Sequence, residues 1–135
     1  MKYLFDTNIC IYLIKNKPES VIKRFSKIQP ETIAVSNITV AEMYYGIAKS
    51  SRPNENTVAL EEFLLPLIII DFNKNDARIY GKIRSELEKK RKMIGAMDLL
   101  IGAQALSRNL ILVTNNVKEF RRIANLEIEN WVSSK

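Results

Sequence analysis

Tyr3-Leu4-Phe5-Asp6-Thr7-Asn8-Ile9-Cys10-Ile11-Tyr12-Leu13 begins as a short apolar run, breaks at Asp6-Thr7-Asn8, and continues as an apolar-rich helical stretch. An uninterrupted apolar triplet suits a strand buried on both faces, as in a parallel sheet, and Asp6 is placed to cap the helix that follows. The succession returns twice. Thr32-Ile33-Ala34-Val35 runs into Ser36-Asn37 and a helix with Val40, Met43, Tyr44 and Ile47 on one stripe. Leu110-Ile111-Leu112-Val113 runs into Thr114-Asn115-Asn116. Short apolar strands alternating with helices predict one three-layer α/β/α domain over residues 1–135, its parallel sheet built of four to five strands.

The rest of the chain fits that plan. Pro18 opens a second helix that carries Val21, Ile22, Phe25 and Ile28. The polar stretch Ser50–Asn56 predicts a loop, followed by a helix from Thr57 to Leu65 that ends at Pro66. Leu67–Ile70 reads as a strand. Asn73 or Asn75 starts a long helix to about Lys92, with Ile79, Tyr80, Ile83 and Leu87 as its apolar face. Asp98–Ser107 reads as a strongly apolar helix that stops near Asn109. A short helix from Val117 to Ile123 leads to Glu127-Ile128-Glu129, a candidate edge strand.

Composition removes much chemistry. The 135 residues contain no histidine and one cysteine, Cys10, so there is no Ser-His-Asp triad, imidazole base, His-ligated zinc or internal disulfide. Acids and bases must come from carboxylates, Lys, Tyr or metal-bound water. Lys plus Arg number 21 against 15 Asp plus Glu, a net charge of +6, which favours an anionic partner such as nucleic acid. The longest apolar run, around Leu67–Ile70 and interrupted at Pro66, falls far short of a membrane span. Asp6 breaks any signal-peptide pattern, so a cytoplasmic protein without membrane association is expected.

In an open parallel sheet the functional crevice lies beyond the carboxyl ends of the strands. Asp6 and Asn8 follow the first strand, Glu42 lies on the helix fed by the second, Thr114-Asn115-Asn116 follows the fourth, and Asp98 opens the helix leading into it. Each has an ordinary structural explanation. Asp6 can be a helix cap, Thr39-x-x-Glu42 a capping box, Asp98 a complement to a helix dipole, and the asparagines turn formers. Yet Asp98 is flanked by Met97, Leu99, Leu100 and Ile101, a setting in which a carboxylate needs a partner. Carboxylates converging on one crevice repel unless a cation lies between them, and hard oxygen donors suit Mg²⁺ or Mn²⁺. Such an ion can activate water without a histidine base.

Four ordered segments carry a resemblance over essentially the whole chain: Leu4–Lys15, Ile38-Thr39-Val40-Ala41-Glu42-Met43-Tyr44-Tyr45-Gly46, Ile94-Gly95-Ala96-Met97-Asp98-Leu99-Leu100-Ile101, and Leu112-Val113-Thr114-Asn115-Asn116-Val117-Lys118-Glu119-Phe120. With them the chain resembles the PIN-domain ribonucleases, specifically the VapC-type toxins of bacterial toxin–antitoxin pairs. The resemblance implies that Asp6 and Asp98 hold Mg²⁺, or Mn²⁺, and that Glu42 completes the acidic site. Asn116 stands where family members often carry a fourth acid, and Glu119, one turn later, can substitute. Thr114 would orient a ligand, and Gln104 occupies a position at which relatives often have histidine. The implied reaction is hydrolysis of an RNA phosphodiester to 5′-phosphate and 3′-hydroxyl ends, with the anticodon stem-loop of initiator tRNA as one substrate.

Lys89, Lys90, Arg91 and Lys92, close in sequence to Asp98, are the candidate RNA contacts; Lys82 and Arg84 read better as a solvated helix face beside Glu86 and Glu88. The resemblance further implies a homodimer and a VapB-type antitoxin laid into a groove near Tyr12, Leu13, Tyr44 and Tyr45, contact with operator DNA being left to the antitoxin. The alternative of another class is a non-catalytic RNA-binding or regulatory module of the same fold.

Overall fold

The structure, a computed structural model, describes residues 1–132. Its elements are β1 (Tyr3–Phe5), α1 (Thr7–Ile14), α2 (Glu19–Ser26), a 3₁₀ turn (Pro30–Thr32), β2 (Ile33–Ser36), α3 (Asn37–Ala48), α4 (Pro53–Leu64), β3 (Ile68–Ile70), α5 (Lys74–Lys89), α6 (Ala96–Ser107), β4 (Ile111–Val113), α7 (Val117–Phe120) and β5 (Ile128–Glu129). All strands pair in parallel in the order β3-β2-β1-β4-β5. The predicted edge strand at Ile128–Glu129 is therefore real and completes a five-stranded sheet.

Alternation along the strands divides the core in two. Tyr3, Phe5, Ile33, Val35 and Val113 face one layer, filled by Ile9 and Leu13 of α1, Val21 of α2, Met43 of α3, Leu60 and Leu64 of α4, and Trp131. Leu4, Ala34 and Leu112 face the other, filled by Ile83 and Leu87 of α5, Leu99, Ile101, Ala103 and Ala105 of α6, and Phe120. Both faces of the sheet are covered, which is why the strands carry no polar alternation. Phe5 and Trp131 meet edge to face at 5.1 Å, and Arg24 stacks over the Trp131 indole, fastening the end of the described chain to the sheet.

Several boundaries differ from expectation. Helix α4 starts at Pro53, not Thr57. Proline is pre-set for the first helical position, and the polar residues Asn54, Glu55 and Asn56 are the solvated first turn rather than a loop. Helix α5 stops at Lys89 instead of about Lys92, because Arg91 turns left-handed (φ 55°). The Arg91 amide then donates to Glu88 O and the Lys92 amide to Leu87 O, a Schellman closure. Asn109 (φ 55°) closes α6 likewise, as anticipated. Helix α6 begins at Ala96, a little before Asp98, and β2 runs one residue later than expected, with Ser36 at its end. On α3, Met43 is buried but Tyr44 is exposed, so the predicted stripe excludes Tyr44.

Candidate active site at the carboxyl edge of the sheet

From β1 the chain winds outward through β2 and β3, then returns to place β4 and β5 on the other side of β1. The crevice at this change of direction, between the carboxyl ends of β1 and β4, is where open α/β sheets bind ligands. Asp6 immediately follows β1 and Thr114 immediately follows β4.

Asp6 is both the helix cap and a site residue. Its Oδ1 accepts from the Ile9 amide at 2.9 Å and its Oδ2 from the Thr114 hydroxyl. The Thr114 oxygen accepts the Asn116 amide at 2.9 Å, and Asn116 Nδ2 donates to Asp98 Oδ2 at 3.1 Å. One chain of hydrogen bonds thus links the two aspartates across the crevice. Asp98 projects from the first turn of α6, half-buried.

Glu42 reaches the site from α3. Ser36, not Thr39, caps that helix, its side chain accepting from the Ile38 amide at 3.0 Å, so the capping-box explanation of Thr39-x-x-Glu42 is wrong. Glu42 Oε1 instead accepts from the Thr7 hydroxyl at 2.6 Å, and Thr7 Oγ1 lies 3.2 Å from Thr39 Oγ1. Glu119, on α7, is near enough for its charge to act on Asp98. Asn116 therefore hydrogen-bonds Asp98, while Glu119 adds negative charge beside it. Asn8 is exposed and makes no hydrogen bond to these acids among the described residues, so the structure does not join it to them. Gln104 is buried in α6 with neither amide atom hydrogen-bonded among the described residues, apart from the acids' network.

The electrostatics are those of crowded carboxylates. Burial pushes Asp6 from 3.8 up to about 6; the Thr114 and Ile9 hydrogen bonds oppose this, and the Asp98 and Glu42 charges add to it. Burial also raises Asp98; the Asn116 hydrogen bond opposes it, and Glu119 and Glu42 reinforce it. Because folded Asp6 holds its proton more tightly than the unfolded chain does, stability in metal-free buffer falls as pH rises from about 4 to about 6. Asp6→Asn, which still caps well, is expected to flatten that window and to be roughly 2 kcal/mol more stable at pH 8. Urea unfolding in EDTA across this pH range measures it, and an unchanged slope would contradict the burial account.

Among the described residues no three acids stand as a ready-made metal cluster. Mg²⁺ commonly takes one or two carboxylates and keeps several waters, so a site for it needs no such cluster. The donors are all hard oxygens on buried or half-buried carboxylates whose charges repel one another, a set that Asp6 and Asp98 could turn on such an ion.

The basic block lies at the α5 exit, in the segment that leads to α6: Lys89, Lys90, Arg91 and Lys92 are exposed and form none of the ion pairs among the described residues. Arg122 donates to Met93 O at 2.9 Å, tying this segment to the turn after α7. Arg84 pairs with Glu88 at 3.2 Å, which agrees with its reading as a solvated face. An apolar groove of about 360 Å³ between α1, α3 and α4 is lined by Ile11, Ile14, Met43, Ile47, Ala59 and Leu60, with Glu42 and Lys15 at its rim. Of the side chains expected there, Leu13 is in the core, and Tyr12, Tyr44 and Tyr45 do not line it. Thr7 and Thr39 went unforeseen as site residues. Their only sequence signals were adjacency to Asp6 and the three-residue offset from Thr39 to Glu42.

The PIN-domain family matches residues 3–126. The chain is 46% identical over 132 residues to Ribonuclease VapC2 of Haemophilus influenzae, covering 98% of this chain and 99% of that one. It is 40% identical over 131 residues to the tRNA(fMet)-specific endonuclease VapC of Shigella flexneri, covering 97% and 98%. The crystal structure of VapBC2 from Rickettsia felis, bound to a DNA fragment from its promoter, contains a chain that superposes with a TM-score of 0.91 at 45% identity, covering 97% and 99%. Among the described residues no helix is long and apolar enough to cross a membrane.

Proposed function

Since this chain belongs to the PIN-domain family, and within it to the VapC ribonucleases, we propose that it is a Mg²⁺-dependent endoribonuclease, active also with Mn²⁺, and the toxin of a toxin–antitoxin pair that stops translation by cutting RNA. The hydrogen-bond chain Asp6–Thr114–Asn116–Asp98 at the switch point of a basic protein carries this reading. Transfer RNA is the favoured substrate, supported by the name of the Shigella relative; the anticodon stem-loop of the initiator is the specific site proposed.

Asp6 and Asp98 would hold the ion. Bound there, Mg²⁺ would lower the pKa of a water and stabilise the phosphoryl oxygens of an in-line displacement. Thr114 and Asn116 keep the two aspartates from turning away, each donating to one carboxylate oxygen and leaving the other lone pairs for a ligand. Glu42 and Glu119 flank the aspartates from α3 and α7 and would orient the attacking water and accept its proton. The exposed cations Lys89 to Lys92 neutralise phosphates beside the cut. No step calls for the absent histidine.

The groove ending on Glu42 is the proposed seat of a VapB-type antitoxin helix, which would bring a cation against the acids; the Rickettsia complex supports such a partner. Homodimerisation, and operator contact through the antitoxin alone, belong to the same proposal.

Purified protein incubated with total RNA in Mg²⁺ is expected to produce a discrete set of new 5′ ends in one tRNA, and none in EDTA. RNA bound but intact under both conditions would make it a binding module instead. Replacing Lys89, Lys90, Arg91 and Lys92 with Gln is expected to lower the slope of log affinity against log salt by about 2 to 3, at roughly 0.7 per lost single-strand phosphate contact.

A further inference from the structure

Thr7 occupies the first position of α1, directly after the cap residue Asp6. Its Oγ1 lies 2.6 Å from Glu42 Oε1 and 3.2 Å from Thr39 Oγ1. A hydroxyl has one proton to give. The short contact to the carboxylate takes it, so Thr7 in turn accepts from Thr39, and the order of donation is Thr39 to Thr7 to Glu42. Thr39 is wholly buried and stands three residues before Glu42 on the same face of α3. Glu42, by contrast, is half-buried at the rim of the apolar groove, beside Met43 and Ile47. Among the described residues no cation pairs with it, and Thr7 is the one side chain that donates to it. A glutamate side chain loses considerable rotamer freedom when held, and an unheld carboxylate at an apolar rim turns toward water.

We propose that Thr7 is a positioning residue that holds Glu42 toward the metal-binding aspartates, so that one turn after β1 serves two acids: Asp6 directly and Glu42 through the neighbouring hydroxyl. The assignment rests on the nuclease reading, which gives Glu42 its task. It also accounts for the buried Thr39, whose hydroxyl anchors the chain from α3.

The test uses Mn²⁺ alone as probe, read as thermal stabilisation of the whole protein without RNA, with cleavage followed on the same samples. Thr7→Val keeps the shape and removes the donor. It is expected to raise the Mn²⁺ concentration for half-maximal stabilisation about fivefold, because Glu42 turned to water no longer adds its negative charge beside the ion, while Thr7→Ser stays within about twofold of wild type. In Glu42→Gln protein, adding Thr7→Val is expected to shift that midpoint by less than about twofold, because the two residues act as one unit. Should Thr7→Val fail to fold in EDTA, Thr39→Val breaks the same chain one link back and must move the midpoint in the same direction. A Thr7→Val midpoint equal to wild type overturns the proposal, as does a loss that multiplies with that of Glu42→Gln. Wild-type protein that binds Mn²⁺ and leaves RNA intact overturns the nuclease reading while the midpoints still decide Thr7. Wild-type protein that Mn²⁺ does not stabilise overturns both.

Discussion

Asp98→Asn protein is expected to keep its fold and lose RNA cleavage by more than about a hundredfold, a larger loss than removal of an outer-shell partner brings. The amide has the size of the carboxylate and can still accept from Asn116 Nδ2, so the α6–α7 contact survives. What disappears is a charge that burial, Glu119 and Glu42 already make costly. Stability in EDTA at neutral pH should therefore match or exceed wild type. Mg²⁺ at ten times its dissociation constant stabilises a binding protein by about 1.4 kcal/mol, and the variant should show none of this. Cleavage of end-labelled tRNA with matched unfolding curves measures both. Retained cleavage would remove Asp98 from the metal site, and a collapsed fold would make its role structural.

Arg108→Ala is expected to destabilise the protein by about 3 kcal/mol at neutral pH, away from the catalytic crevice. Asp76 is fully buried at the start of α5, where it forms a reciprocal capping box with Asn73. Arg108, just past α6, donates to Asp76 Oδ2 at 3.0 Å and to the Asp71 carbonyl. Burial alone would raise the Asp76 carboxyl, but the Arg108 hydrogen bond, the Asn73 amide, the Ser107 hydroxyl and the Arg108 charge together hold it below its ordinary 3.8. An acid depressed in the folded state contributes stability at pH values above its unfolded pKa and loses it as pH falls through the folded value. The gap between wild type and Arg108→Ala should thus be full at pH 7 and close in acid below about pH 4. A gap independent of pH would mean that lost packing of the arginine stem, not the ion pair, is responsible. Because α5 and α6 meet through this pair, the variant also tests how firmly the helix bearing Asp98 is held.

Much of the candidate site was legible because its acids stand where local pattern makes them conspicuous. Asp6 ends an apolar strand, Thr114 ends another, and Asp98 interrupts an otherwise uncharged helix. The parallel sheet followed from the same runs, and with it the edge at which those residues gather. Boundaries failed where chemistry and conformation diverge. Residues 53–56 are polar because a first turn faces water, and Arg91 adopts a left-handed conformation that its side chain does not announce.

What the sequence determined by itself is the layered fold, the family, and the sheet edge at which Asp6, Glu42 and Asp98 come together, since periodicity and capping are local and a strand leaves its ends in known places. The partners of those acids were a matter for tertiary structure. Thr7 meets Glu42 across 35 positions, Thr114 meets Asp6 across 108, and Arg108 meets Asp76 across 32. Such pairings depend on how crossover helices pack against the sheet, and no spacing along the chain encodes that distance. The division of labour in which Asn116 hydrogen-bonds Asp98 while Glu119 supplies charge was likewise decided in space, where α7 folds back over the first turn of α6.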